Sequence, residues 1–513
     1  MPPPAPDDGL PRFTHKQIIS VLWGILLCIF LAAIDQTVVI PAVPAMAAEL
    51  NGFDHLSWIV SAYLLTSTAA TPIYGKLSDI YGRRALLLPA LALFIVASCL
   101  CAMAQSLTQL IAARALQGLG GAGLMAMAQA AIADVVAPRE RGRYQGYMAS
   151  AWGIASVAGP ILGGWVTDAL SWRWIFWMNL PIGLLAMLLC YRALALLPVV
   201  SRAARIDWLG AGLLTGAITC FLLVLSWGGV SVPWISPQIG GLAVGGVALV
   251  LMLVMLEKRL ADPLLPPRLF GNPVFLRGVS VAMLGSLCLF GGTFLLPLYF
   301  QLVGGADAQH SGLLVVPFLG SNCVGAYLAG QAARRLGRTK IILLVGLSAT
   351  ILGFLALATM TPDTPRLLGV LYMLLVGIGI GLIMPSSLVI VQNAAERRDV
   401  GVATGSLLFL RSMGGAFGTT VVGALLAVRF ASAVKKLGIP DQIDLSEVRG
   451  HAEVIGGLDA AGRHALQVAL TSGFHLGFAV CAGFAAVAML VAFGMRDLPL
   501  RSSSAAEPAQ LGH

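Results

Sequence analysis

Charge is what this sequence has least of. Lys, Arg, Asp and Glu make up 11% of its residues, against roughly 25% in an ordinary soluble domain. A chain so poor in charge excludes a soluble enzyme, a disordered segment and a nucleic-acid-binding module. The seven histidines form no His-Glu-x-x-His pattern, and no Gly-rich phosphate loop ending in Gly-Lys-Ser/Thr occurs. Zinc hydrolysis and direct ATP hydrolysis therefore lack a motif. The chain reads as no enzyme, with no metal site and no bound cofactor. All eight cysteines, from Cys28 to Cys481, lie inside apolar runs. Neither a disulfide framework nor a Cys-x-x-Cys metal site is expected.

What the sequence has is apolar length. Hydrophobic residues make up 58% of it, and the mean hydropathy is +0.87. A run of about 20 apolar residues crosses the hydrocarbon core as a helix. Fourteen such runs are predicted, near 18–40, 57–76, 85–104, 107–132, 144–167, 174–195, 207–228, 235–256, 275–300, 311–332, 340–360, 366–391, 400–428 and 472–494. They are continuous rather than alternating, so a closed barrel is excluded. The first run follows a polar, Pro-rich stretch with no small-residue cleavage site, and is read as a retained span.

The cations define an orientation. With the N-terminus inside, twenty-three Lys and Arg residues fall in inside segments, and only Arg173 and Arg366 fall in the six short outside loops. This asymmetry puts both termini in the cytoplasm and requires an even number of spans. The positive balance, +9, is therefore a topology signal and not a signal for nucleic acid.

The chain also repeats itself. Gly75–Arg84 (GKLSDIYGRR) follows span 2, and Gly330–Arg338 (GQAARRLGR) follows span 10 at an offset of 255. Gly159 and Gly415 pair at 256, and Gln117-Gly-Leu-Gly120 resembles Val376-Gly-Ile-Gly379 at 259. Spans 1–6 thus recur as spans 9–14, with spans 7 and 8 inserted between them. Parallel six-helix repeats are the layout of rocking secondary transporters, with substrate bound between the halves.

These residues carry a family resemblance. GKLSDIYGRR resembles the loop signature of the major facilitator superfamily, and Arg114-x-x-Gln117-Gly118 resembles its span-4 motif. Gly159-Pro160-x-x-Gly163-Gly164 resembles the span-5 motif of its proton-driven antiporters. Ala33-Ile-Asp35-Gln36-Thr37-Val-Val and Trp172-Arg-Trp-Ile-Phe-Trp177-Met-Asn179-Leu-Pro181 are similar to its 14-span drug:proton antiporter branch. The resemblance covers about residues 15–495. It implies an all-α integral membrane protein of major facilitator fold, with two six-helix bundles and an inserted helix pair. The divisions are a cytoplasmic tail (1–17), an N-terminal bundle (18–195), the inserted pair with linkers (196–274), a C-terminal bundle (275–494, with an outside loop at 429–471) and a second tail (495–513).

Asp35 is the one carboxylate well inside a span, and such a group is costly in lipid and functional by default. Arg114, at similar depth by helix rise, is its expected partner. Two readings stand: a permanent ion pair that fixes packing, or a carboxylate that exchanges proton and substrate with Arg114 tuning it. The resemblance implies the second. Arg411, near the middle of span 13, is either a hydrogen-bond donor to neighbouring helices, or a substrate contact or counter-ion to Asp35. Gln36, Thr37, Tyr63, Gln117, Trp152, Asn322 and Gln392 are further candidates to face a central cavity. Trp172, Trp174 and Trp177 read as an interfacial belt.

Gating candidates are Gly75, Asp79, Gly82 and Arg83 in the loop, and Gly159, Pro160 and Gly163 in span 5. Ala151, Ala155, Gly159 and Gly163 form a small-residue face, expected to make a dry contact with the second half. The 452–470 stretch is weakly amphipathic, and 501–513 reads as disordered. The function implied is a proton-coupled multidrug exporter in a bacterial-type inner membrane. Its partners would be small lipophilic substrates, protons and the bilayer, with a monomeric state and an accessory periplasmic adaptor compatible. Alternatives are a dedicated exporter of a self-made lipid, antibiotic or siderophore, a nutrient symporter, and a non-transporting sensor.

Overall fold

A computed structural model describes residues 15–50, 56–136, 138–193, 195, 207–228, 232–260, 263–304, 308–362, 364–436, 460–497 and 499. Its helices in the first half are α1 (His15–Glu49), α2 (Leu56–Tyr81), α3 (Arg83–Ala102), α4 (Leu107–Val135), α5 (Pro138–Ala169), the short α6 (Trp174–Trp177) and α7 (Asn179–Ala193). The inserted pair is α8 (Trp208–Trp227) and α9 (Pro237–Glu257). The second half holds α10 (Pro267–Gly271), α11 (Pro273–Leu302), α12 (Ala308–Leu314), α13 (Val316–Leu336), α14 (Lys340–Leu357), α15 (Arg366–Ala394), α16 (Val400–Lys436) and α17 (Ala460–Phe493). Among the described residues thirteen segments are long and apolar enough to cross a membrane, α6 with α7 and α12 with α13 each counting as one. The fourteenth expected span, α2, falls short by composition. Thr66, Ser67, Thr68, Thr71, Ser78 and Asp79 interrupt it, and its place between the bundles accounts for them.

Several helices outrun the hydrocarbon estimate. α1 continues through Pro41 and Pro44 to Glu49. α16 and α17 extend into the stretch assigned to an outside loop at 429–471, of which 437–459 lies outside the described residues. The amphipathic reading of 452–470 in large part, and that of 501–513 entirely, fall on residues whose side chains are not described.

Within each half, helices of the same half pack on one another. α1 packs on α4, α5 and α7, and α2 and α3 pack on α4. α11 packs on α16 and α17, and α14 on α15 and α17. Between the halves two seams dominate, α2 against α16 and α5 against α13. These seams are equivalent under the repeat, because α16 corresponds to α5 and α13 to α2. The repeat is also written in the backbone. The two described glycines with positive φ are Gly82 (85°) and Gly337 (65°), one repeat apart, each where a helix reverses through a backbone conformation that side chains with a Cβ disfavour. α8 lies along the α2/α16 seam. Its Ala211, Leu214 and Ile218 pack with Ala69 and Ile73 of α2 and Phe409 of α16.

Candidate functional site

The densest polar cluster of the N-terminal half surrounds Asp35. Its side chain is wholly buried, and that of Arg114 is 1% exposed. Arg114 Nη1 donates to Asp35 Oδ2 at 2.7 Å and to Gln117 Oε1 at 2.7 Å. Arg114 Nε donates to the Ile59 carbonyl at 3.2 Å. Asp35 Oδ1 accepts from Gln117 Nε2 and from Asn179 Nδ2, both at 2.8 Å. The same two amides also donate to Ser98 Oγ, at 2.6 and 2.9 Å. Cys101 Sγ donates to Gln117 Oε1 at 3.6 Å. The guanidinium lies 4.5 Å above the Tyr63 ring, a cation–π contact strengthened by exclusion of water. Five helices, α1 to α4 and α7, therefore contribute to one net-neutral cluster.

Local sequence makes this possible. Gly118, Gly120, Gly121 and Gly123 line α4, and a Cβ on Gly120 would come within 2.7 Å of the Phe94 amide. Small residues let α4 approach α2 and α3 closely enough for Arg114 and Gln117 to reach their partners. Buried polar groups in lipid must find protein partners, and the Asp35 carboxylate finds three donors. Ser98 and Asn179 have no site role in the sequence reading. The signal for them was present: each is an isolated polar residue in an apolar run, and Asn179 lies within the Trp172–Pro181 motif.

The other candidates are distributed differently. Arg411 donates to the Met384 carbonyl and to Ser387 Oγ (3.0 Å) on α15. Among the described residues it makes no ion pair with Asp35, so the counter-ion reading is corrected; Arg114 fills that place. Gln392 donates to Thr404 Oγ1 at 3.1 Å between α15 and α16. Thr37 Oγ1 donates to the Ala155 carbonyl at 2.9 Å between α1 and α5. Tyr63, Gln117, Thr37 and Gln392 were expected to line a cavity; each is instead packed into a contact within its own half. Gln36, Trp152 and Asn322 are half-buried. Trp152 meets Phe290 of α11 edge-on at 6.5 Å, and Asn322 Nδ2 is buried with no hydrogen-bond partner among the described residues. Trp172 also departs from the belt reading. It is 2% exposed and donates to Glu49 Oε2 at 2.6 Å.

The seams form a second constellation, at the end of the bundle where α2 turns into α3; Gly75 and Asp79, expected in a loop, lie in the last turns of α2, and only Gly82 stands between the two helices. Asp79 Oδ1 and Oδ2 accept from the amides of Gly401 (2.9 Å) and Val402 (2.8 Å), in the first turn of α16. A carboxylate there satisfies free amides and the positive end of the helix dipole. Arg83 binds Asp79 and Asp134, each at 2.8 Å, and also Ser78. A Cβ on Gly75 would sit 2.5 Å from the Gly401 carbonyl oxygen, so the two backbones touch. Further along the chain, Arg268 Nη2 binds Asp399 at 2.7 Å.

The span-5 glycines correct an expectation. Gly159 faces Thr37, and Gly163 faces Val38 and Pro41, all on α1. They close a contact within the N-terminal half, not one with the second half. That second contact is made by Gly146 against Tyr327 and Gly153 against Cys323. Six residues at 3.6 per turn separate Gly153 from Gly159 by about 120° around the helix, so the two stripes meet different neighbours. Pro160 is exposed.

Two helical bundles meet along paired seams, with buried carboxylate–guanidinium pairs at Asp35–Arg114 and Asp79–Arg83, in the architecture of a multi-pass membrane protein. The model of the Major Facilitator Superfamily matches residues 25–419, and the chain belongs to that family. It is 37% identical over 444 residues to an uncharacterized MFS-type transporter of Mycobacterium tuberculosis, covering 85% of this chain and 64% of that one. The chain thus spans just under two thirds of that relative's length. It is 34% identical over 422 residues to the multidrug transporter protein MdtP of Bacillus subtilis, covering 82% of this chain and 77% of that protein. The fold matches the proton:xylose symporter XylE with a TM-score of 0.61 at 16% identity, over 94% of this chain and 97% of that one.

Proposed function

We propose that this chain is a proton-coupled exporter of small lipophilic compounds. It works by alternating access in a bacterial-type inner membrane, with both termini cytoplasmic. It acts as a monomer, driven by the proton gradient without a further cofactor. The observation that carries the reading is Asp35: a wholly buried carboxylate paired with Arg114 and held by two neutral amides. A group so placed changes its partners when it takes a proton. The similarity to a multidrug transporter supports the substrate class.

The charge asymmetry assigns the end with the Asp79 contact to the cytoplasm, so we read this conformation as closed on the cytoplasmic side. In that state the Asp79 contact with α16 holds the cytoplasmic side shut. Protonation of Asp35 from outside releases a lipophilic cation or neutral substrate and biases the return step. With one acid in reach, strongly dicationic substrates are disfavoured. The decisive assay is efflux into inside-out vesicles from a chemically broad library, under an imposed pH gradient, with and without an uncoupler. Asp35→Asn should abolish the gradient-driven part. Undiminished gradient-driven efflux in that variant would sink the proposal.

A further inference from the structure

The proton taken up by Asp35 has to be accommodated in a cluster that offers the carboxylate only donors. Oδ2 faces Arg114, and Oδ1 faces two amide N–H groups. A new O–H there needs an acceptor. Gln117 cannot turn its amide without losing the bond in which its Oε1 accepts from Arg114 at 2.7 Å. Asn179 can, because its Oδ1 is buried and has no hydrogen-bond partner among the described residues. Turning Asn179 would bring that unused oxygen to Asp35 and would point it at Ser98 as well. Ser98 Oγ already accepts from Gln117 at 2.6 Å, and a hydroxyl keeps one hydrogen to donate. After the turn, the hydroxyl donates to Asn179 and still accepts from Gln117.

We propose that Asn179, supported by Ser98, is a reversible amide that positions Asp35 in both protonation states: donor to the carboxylate, acceptor from the acid. Asn179 is thus a positioning residue for proton coupling. The inference rests on the reading that Asp35 exchanges a proton. The titratable groups around Asp35 among the described residues are Arg114 on α4, Tyr63 on α2 and Cys101 on α3. All three sit on elements other than α7, so a substitution at 179 leaves them in place.

In Asn179→Leu both forms of Asp35 lose a partner: the carboxylate keeps Arg114 and Gln117 but loses one donor, and the acid loses its acceptor. The two losses oppose each other in the pH midpoint of gradient-driven efflux, which should therefore move by well under one unit. If Asn179 merely donates to the carboxylate, only the charged form is weakened and the midpoint moves to higher pH by about one unit or more, the cost of one lost hydrogen bond to a charged group. That result overturns the inference. Failure of the underlying reading looks different: the unmodified protein and Asp35→Asn would share one pH-independent rate. The turn of the amide itself is read in the unmodified protein by difference infrared spectroscopy on acidification. A carboxylic band lost in Asp35→Asn should appear together with an amide carbonyl band that moves on 13C-asparagine labelling. A carboxylic band without the asparagine band overturns the inference.

Discussion

Replacing Asp35 and Arg114 by leucine, singly and together, separates a structural ion pair from a working one. Both side chains are at or below 1% exposed, so solvent cannot rescue a lone charge. Asp35→Leu leaves the guanidinium with Gln117 Oε1, the Ile59 carbonyl and the Tyr63 ring. Arg114→Leu leaves the carboxylate with two amide donors. Breaking a buried pair from one side costs roughly 3–5 kcal/mol, or a factor of about 10² to 5 × 10³ in the folded ratio. In the double variant neither charge remains to be desolvated. The two amides keep Ser98 Oγ at 2.6 and 2.9 Å, so few polar groups are stranded. Its stability should return to within about 1 kcal/mol of the parent, because well-packed apolar residues replace buried ion pairs at little net cost. Denaturation in detergent and vesicle efflux, measured on all four proteins, give the cycle. The expected outcome is recovered stability with efflux still absent. Recovery of efflux together with stability would refute proton exchange and leave a packing ion pair. Single variants as stable as the parent would refute the buried geometry itself.

Other perturbations test the seams and turns. Gly401→Ala places a Cβ 2.5 Å from the Gly75 carbonyl and from Asp79; it should part α2 from α16, raise thiol labelling of a cysteine placed at that end, and cut efflux at least tenfold, and unchanged labelling would contradict the contact. Gly159→Val pushes α1 from α5 inside one half, so it should cost about 1–3 kcal/mol of stability without raising that labelling; increased labelling would restore a gating role. Gly82→Ala should destabilise by about 1–3 kcal/mol, more than Gly337→Ala, because φ 85°, ψ 157° at Gly82 is a region essentially confined to glycine while Gly337 is left-handed helical; denaturation of the two variants ranks them. Arg411→Leu removes two donors to α15 and should lower stability while leaving the pH midpoint of efflux where it is.

Part of the site was legible before any coordinates. Asp35 and Arg114 stood out because charge is so scarce in the spans that each exception has a reason. Their depths, counted in helix rises, matched well enough to pair them, although α1 runs nine residues beyond the end assigned to it. Ser98 and Asn179 were harder to find. Polar uncharged residues are common in transmembrane helices and many only bond their own backbone, as Thr219 does to the Thr215 carbonyl at 2.8 Å. Which of them converge depends on how α3 and α7 rotate about α1, and a single chain's periodicity does not encode that rotation.

By itself the sequence determined that the chain is built of long apolar helices, the order in which they follow one another, and the repeat that makes Gly82 and Gly337 equivalent. Each of these follows from local physics: apolar length, and positive-φ turns that favour glycine. The tertiary structure alone decided which face meets which neighbour. It set Gly159 against Thr37 and left Gly146 and Gly153 to meet the other half. It gave Arg411 to α15 and Arg114 to Asp35. In a membrane every helix presents several apolar faces of similar energy, so partners are chosen by close packing and by pairing of buried polar groups, which arise only between helices already in contact.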